Sequence, residues 1–349
     1  MAAYTRPLAE LRRSDASEFG GKSANLGDLL SAGIPVPRGF AVGAGAFRAF
    51  VAETGLDGTI ASALSRAPRG DVEAAGAASK AIDEAMRFAP LPEPVRQELA
   101  RSYGELGESP PVAVRSSALG EDGHDATFAG QQETFLWVRG VEQLCDAVRD
   151  CWVSLYTTRA ISYRAELGAG GEAAMGVTVQ QMVDAEVSGV MFTCNPVSGD
   201  PSMVAVNASW GLGIAVVGGE ATPDDFLVSK VTGEVVRQTV NAKEIEYVVD
   251  PAGRGTVRVE VPAERRESAC LGQAQLAVLI EVARTIERHF GSHQDIEWAL
   301  ERGRALPESL HVLQSRPVTT LTPKPERKVS ESAISLVMGT FGAPPRKED

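Results

Sequence analysis

Cysteine and histidine are both scarce in this chain of 349 residues, with four of each. The cysteines (Cys145, Cys151, Cys194 and Cys270) form no C-x-x-C pair and are too few to staple so long a chain, so they read as reduced, mostly buried thiols. The histidines stand at 124, 289, 293 and 311. His289 and His293 have the i,i+4 spacing of a helical metal pair, but Gly291 between them is a stop signal that ends the helix first. Long apolar runs are missing too. Stretches such as Leu276 to Ile280 fall far short of the ~20 residues that cross a bilayer, and the N-terminus has no signal-like apolar core. Basic runs are short and the net charge is −12, which argues against a nucleic-acid partner. The expectation is a soluble, cytoplasmic protein with neither nucleic-acid nor membrane partners.

What is present is a chain long enough for two domains and a sizeable core. Helical periodicity or helix-favouring composition marks Lys22 to Ala32, Ala46 to Glu53, Glu73 to Phe88, Val141 to Arg164 and Gly272 to Phe290. In the last of these, Leu276, Leu279, Ile280, Ala283 and Phe290 trace one buried stripe. Short β-branched or apolar strands are expected at Val112 to Val114, Val177 to Val183, Gly189 to Thr193, Met203 to Asn207 and Asp225 to Lys230. Hairpin-like strand pairs mixed with helices indicate an α+β fold, and no dinucleotide fingerprint is present.

Three patterns could carry chemistry. Gly20-Gly21-Lys22 puts a lysine at a helix entrance, where backbone N–H groups favour an anion, although the spacing is not that of a phosphate loop. Arg115, Ser116 and Ser117 follow an apolar strand, and the polar, glycine-bearing segment after them, reaching Ala129 to Thr134, has the make-up of a flap that closes over a ligand. Taken singly, each is also the pattern of an ordinary surface loop. The third is more specific. Along Asp295 to Leu300, Ile296, Trp298 and Leu300 alternate with Asp295 and Glu297, which therefore share the opposite face of a strand. Carboxylates held side by side call for a cation, and magnesium combines carboxylates with substrate phosphates. A second strand, His311 to Pro317, places Gln314 and Arg316 on one face, so a hairpin of the two would present a metal and phosphate wall.

Seven motifs in order, Gly20-Gly-Lys-Ser-Ala-Asn-Leu-Gly27 with Pro35-Val-Pro-Arg-Gly-Phe40, Val114-Arg-Ser-Ser117, Phe128 to Thr134, Ser188 to Thr193, Trp210-Gly-Leu-Gly213, Asp295-Ile-Glu-Trp298 and Gln314-Ser-Arg-Pro317, resemble one family. It is the N-terminal nucleotide-binding domain of phosphoenolpyruvate synthase, pyruvate phosphate dikinase and rifampin phosphotransferase. The resemblance spans about residues 4 to 325. It implies an ATP-grasp fold that clamps ATP between lobes at about 1–190 and 191–321, with a linker and tail at 322–349. It also implies Lys22 and Arg115 as phosphate ligands, Gly130 and Thr134 as flap, and Gln181 on the strand passing the adenine. Glu297 becomes a Mg²⁺ ligand, Gln314 a metal or phosphate contact, and Arg316 a phosphate clamp. Arg115, Glu297 and Arg316 form the implied catalytic set.

Two departures stand out. Ile214 follows Gly213 where these relatives carry a glutamate, on what reads as a phosphate-side loop. No histidine lies in the Thr-Ser-His-like setting of the family's phosphoryl carrier. The expectation is an ATP-binding component, similar to that of phenylphosphate synthase, which forms AMP and phosphate and passes the β-phosphoryl group to a histidine on a separate protein. The onward acceptor would be phenol-like, pyruvate or another hydroxyl compound. A nucleotide-sensing module without turnover is the alternative. The ending Lys347-Glu-Asp349 after a proline-punctuated linker favours a natural C-terminus over a fragment.

Overall fold

The computed structural model describes residues 3–119, 133–167, 173–250, 252 and 255–318. Gly130, His124 and the tail 322–349 lie outside them. Two antiparallel sheets carry the fold, as the α+β reading expects. The first contains β1 (Thr5–Pro7), β2 (Gly39–Val42), β3 (Val112–Ala118), β4 (Thr134–Val138) and β5 (Met175–Gln181), in the order β1-β2-β5-β3-β4. The next strands in the chain are β6 (Ala185–Phe192), β7 (Met203–Trp210), β8 (Asp224–Ser229), β9 (Val235–Thr239), β10 (Ile245–Val249), β11 (Thr256–Glu260), β12 (Gln294–Glu301) and β13 (Leu310–Pro317). Six of them build the second sheet, β13-β12-β6-β7-β8-β9, while β10 and β11 form a separate ribbon. The chain passes from the first sheet to the second through 182–184, so all of β6 belongs to the second.

Each sheet has its own core. Phe40, Val114, Val177 and Val179 pack under helices at Ala44–Thr54, Val72–Phe88 and Gly140–Val153, with Trp152 stacked on Phe50 at 5.3 Å between ring centroids. Met191, Val206, Ile296, Trp298 and Val312 meet Leu276, Leu279, Ile280, Ala283 and Ile286 of the Gln273–Phe290 helix, the stripe its periodicity predicts. That helix ends at Gly291, whose φ of +68° suits glycine, and His293 lies beyond it with Nδ1 at 2.6 Å from Glu287 Oε1.

Sequence periodicity erred between Val141 and Arg164, where one helix is expected and two are found. Gly140–Val153 passes through a 3₁₀ turn at Ser154–Tyr156 into extended Thr157, and a new helix runs Thr158–Leu167. Ser154 Oγ donates to Cys151 O at 2.6 Å, and Thr157 Oγ1 accepts from Ala160 N at 3.3 Å, capping the second helix. Arg115, Ser116 and Ser117 also stand within β3 and not beyond it.

The Gly21–Ser31 helix touches both halves. At its start Ser23 Oγ is 2.7 Å from Thr178 Oγ1 on β5, while Leu26 and Leu29 are buried in the second core. Gly20, at φ +80°, opens the way, since a Cβ there would sit 2.2 Å from Ser117 Oγ.

Candidate active site

A cleft of about 520 Å³ lies between the sheets, lined by both walls and by the 182–184 crossing. Arg115 enters from β3, Thr134 from β4 and Gln181 from the end of β5, while Glu297 enters from β12 of the other sheet. The β12–β13 register confirms the hairpin: Glu297 faces Gln314, and Asp295 faces Arg316. A β-bulge falls between Glu297 and Trp298, a device that re-aims side chains beside functional sites.

The charges converge on Glu297. Arg115 Nη2 donates to Glu297 Oε2 at 2.6 Å and Nη1 to Leu313 O at 3.2 Å, joining positions 182 residues apart in sequence. Burial alone would raise the Glu297 carboxyl, but Arg115 above all, then Lys22 and Arg316, together hold it below the usual carboxylate range. Lys22 is itself buried, and its Nζ donates to Ser116 O at 3.0 Å. Asp295 goes the other way. Burial raises it, the nearby Glu297 charge adds to that, and the Arg316 Nε bond at 2.9 Å only partly offsets both. The sequence places Lys22, Gln314 and Arg316 in this site; the structure gathers them around Glu297, and none of the three is among the residues lining the cleft.

Glu297, Asp295 and the Gln314 amide offer oxygen donors, the chemistry that suits Mg²⁺. Among the described residues no three or more of His, Cys, Asp and Glu cluster as a metal cage.

Residues 16–334 match the pyruvate phosphate dikinase AMP/ATP-binding domain. The chain belongs to this family. Among its relatives, a probable phosphoenolpyruvate synthase of Methanothermobacter thermautotrophicus is 41% identical across 99% of this chain and 50% of its own length. One from Methanocaldococcus jannaschii is 40% identical, over 97% of this chain and 29% of its own. The phosphoenolpyruvate synthase of Pyrococcus furiosus is 37% identical, over 98% and 47%. The chain thus spans half or less of these relatives' lengths. A crystal structure of a Pyrococcus horikoshii protein aligns over 76% of this chain and 99% of its own at 13% identity, with a TM-score of 0.31, too distant to bear on the fold.

Within this AMP/ATP-binding domain, two further residues of the sequence reading, Ile214 and Gln181, line the cleft. Ile214 packs with Met182, Val183 and Leu212 at the apolar crossing, so the loop that carries it borders this end of the cleft. Gln181, expected on the strand passing the adenine, donates its side-chain amide to Leu106 O at 2.9 Å. Its neighbour Gln180, which the sequence reading passed over, lines the cleft, is 2% exposed, and has an Nε2 with no hydrogen-bond partner among the described residues. A buried donor without a partner is costly, and here it borders the cleft. The Gln180-Gln181 doublet was the available signal, since both residues border the cleft.

Proposed function

We propose that this domain binds ATP with Mg²⁺ in the cleft, in an ATP-grasp arrangement whose lobes are the two sheets and whose boundary falls at 182–184. The lobes expected at 1–190 and 191–321 shift accordingly. The apolar crossing with Ile214 receives the base, Gln180 donates to it, and the triphosphate points toward Arg115, Lys22 and Arg316. Thr134 and Gly130 belong to the flap of this reading. Glu297 and Gln314 would hold the magnesium ion, which supplies neutralisation of phosphate charge when bound.

The reaction is cleavage of ATP with one water to AMP and phosphate: the β-phosphoryl group passes to a histidine outside this sequence, on a partner protein, and then to a small hydroxyl acceptor, while the water takes the γ-phosphoryl group away as phosphate. None of the described histidines lines the cleft: His293 is paired with Glu287, His311 with Glu301, and His289 lies edge-on to Phe290. The observation that carries the reading is the convergence of Lys22, Arg115 and Arg316 from separate elements on Glu297, a carboxylate lining the cleft, in a chain of this family. AMP release from ATP and Mg²⁺, measured with and without a candidate histidine-domain protein, is the test. The expected result is AMP formation only with the partner. ATP binding with no AMP formed alongside any such partner would overturn the transferase.

A further inference from the structure

Arg115 and Glu297 hold each other. Their side chains are 16% and 23% exposed, and both prongs of the guanidinium fork are committed to the second sheet, one to Glu297 Oε2 at 2.6 Å and one to Leu313 O at 3.2 Å. On the nucleotide reading above, on which this inference rests, these groups have separate duties, the fork toward phosphate and the carboxylate toward a divalent cation. A phosphate arriving alone meets a guanidinium already neutralised and, behind it, a carboxylate of its own sign. Half-buried charges of this kind are screened little by salt. Of the cations around Glu297, Arg115 bonds it at 2.6 Å, while Lys22 donates to Ser116 O at 3.0 Å and Arg316 to Asp295 at 2.9 Å. A phosphate arriving with a divalent cation meets a different balance. The carboxylate turns to the cation, the fork turns to the phosphate, and no charge is left unpaired in the cleft.

We infer that Glu297 is a specificity-determining residue that masks Arg115 against metal-free nucleotide, so that the cleft takes up ATP as its magnesium complex. The mask makes the residue's effect opposite in sign for the two ligands. A carboxylate that only bound metal would leave metal-free affinity untouched, and one that only clamped the sheets would help both forms alike.

The test is equilibrium binding of ATP to the full chain by titration calorimetry, in EDTA and in Mg²⁺, for the wild type and for Glu297→Gln. The variant is expected to bind metal-free ATP about tenfold more tightly than the wild type, the scale of one recovered charge-assisted hydrogen bond, and to lose most of the magnesium enhancement. Unchanged or weaker metal-free binding by Glu297→Gln overturns the mask. Parallel loss in both conditions, with a lowered melting temperature, overturns it in favour of a clamp. Should Glu297→Gln fail to fold, Glu297→Ser carries the same expectation and the same refutation. Wild-type protein that melts normally but binds ATP in neither condition refutes the nucleotide reading itself, and the mask with it, an outcome separate from equal wild-type affinity in both, which refutes the mask alone.

Discussion

Two ion pairs of this molecule have nearly the same length and opposite characters. Lys243 Nζ meets Asp224 Oδ1 at 2.5 Å with both side chains fully buried, while Arg115 meets Glu297 at 2.6 Å on the wall of a cleft. The first is closed on itself. Lys243 also donates to Asn241 O at 2.8 Å, and Asp224 accepts from Asn241 N at 3.0 Å and Cys270 N at 2.9 Å. Every strong donor and acceptor there serves to pin loops to β8. The Arg115 pair is open on one side and joins two sheets, and each member has a second use. Satisfaction inward makes a staple; satisfaction that a ligand can replace makes a site.

The contrast can be broken from either end. Lys243→Met leaves Asp224 buried without its cation, and an expected loss of about 3–5 kcal/mol in stability should appear as a large fall in melting temperature, with ATP affinity per folded molecule unchanged. Glu297→Ala should do the reverse: AMP formation with a competent partner falls about 10²–10³-fold, while calorimetric melting moves little. Gln180→Leu separates function from stability more finely. It should raise the KM for ATP about tenfold yet leave stability equal or slightly greater, because it removes a buried donor that the described fold does not satisfy. The smallest effect is expected at a pair near neither extreme. Hydrogen bonds from Arg304 and then His311 hold the Glu301 carboxyl below its usual range, so its stabilisation is present above the unfolded carboxylate pKa and is lost as pH falls. Glu301→Gln should slightly flatten the acid limb of a stability profile and nothing else. A melting curve that shifts equally at pH 4 and pH 7 would refute that assignment.

The parts of the site legible in the sequence are those set by local periodicity. Alternation along Asp295–Leu300 and His311–Pro317 is enough to place Glu297, Gln314 and Arg316 on facing strands, and Gly20-Gly21 marks the start of the Lys22 helix. The pairing of Arg115 with Glu297 depends on how two sheets meet, which no window of sequence contains. The ribbon strands and β9 were passed over for another reason. Val235–Thr239 is exposed on both faces, so it has no apolar alternation to read. Thr157 was misread because helix propensity on both sides hides a single extended residue, and tertiary context decides it. Gln180 was passed over because strand phase fixes which residues share a face but not which of them border a cleft.

The helix that starts at Gly21 has its first turn fastened to β5 through Ser23 and Thr178, while its middle is sunk among side chains of the other sheet. Any hinge motion about 182–184 must therefore shear this helix, because it cannot travel with both bodies at once. Lys22 stands on that first turn with its amine on Ser116 O of β3, so it would travel with the first sheet, and the strain of such a motion would fall on the helix between Ser23 and Leu29.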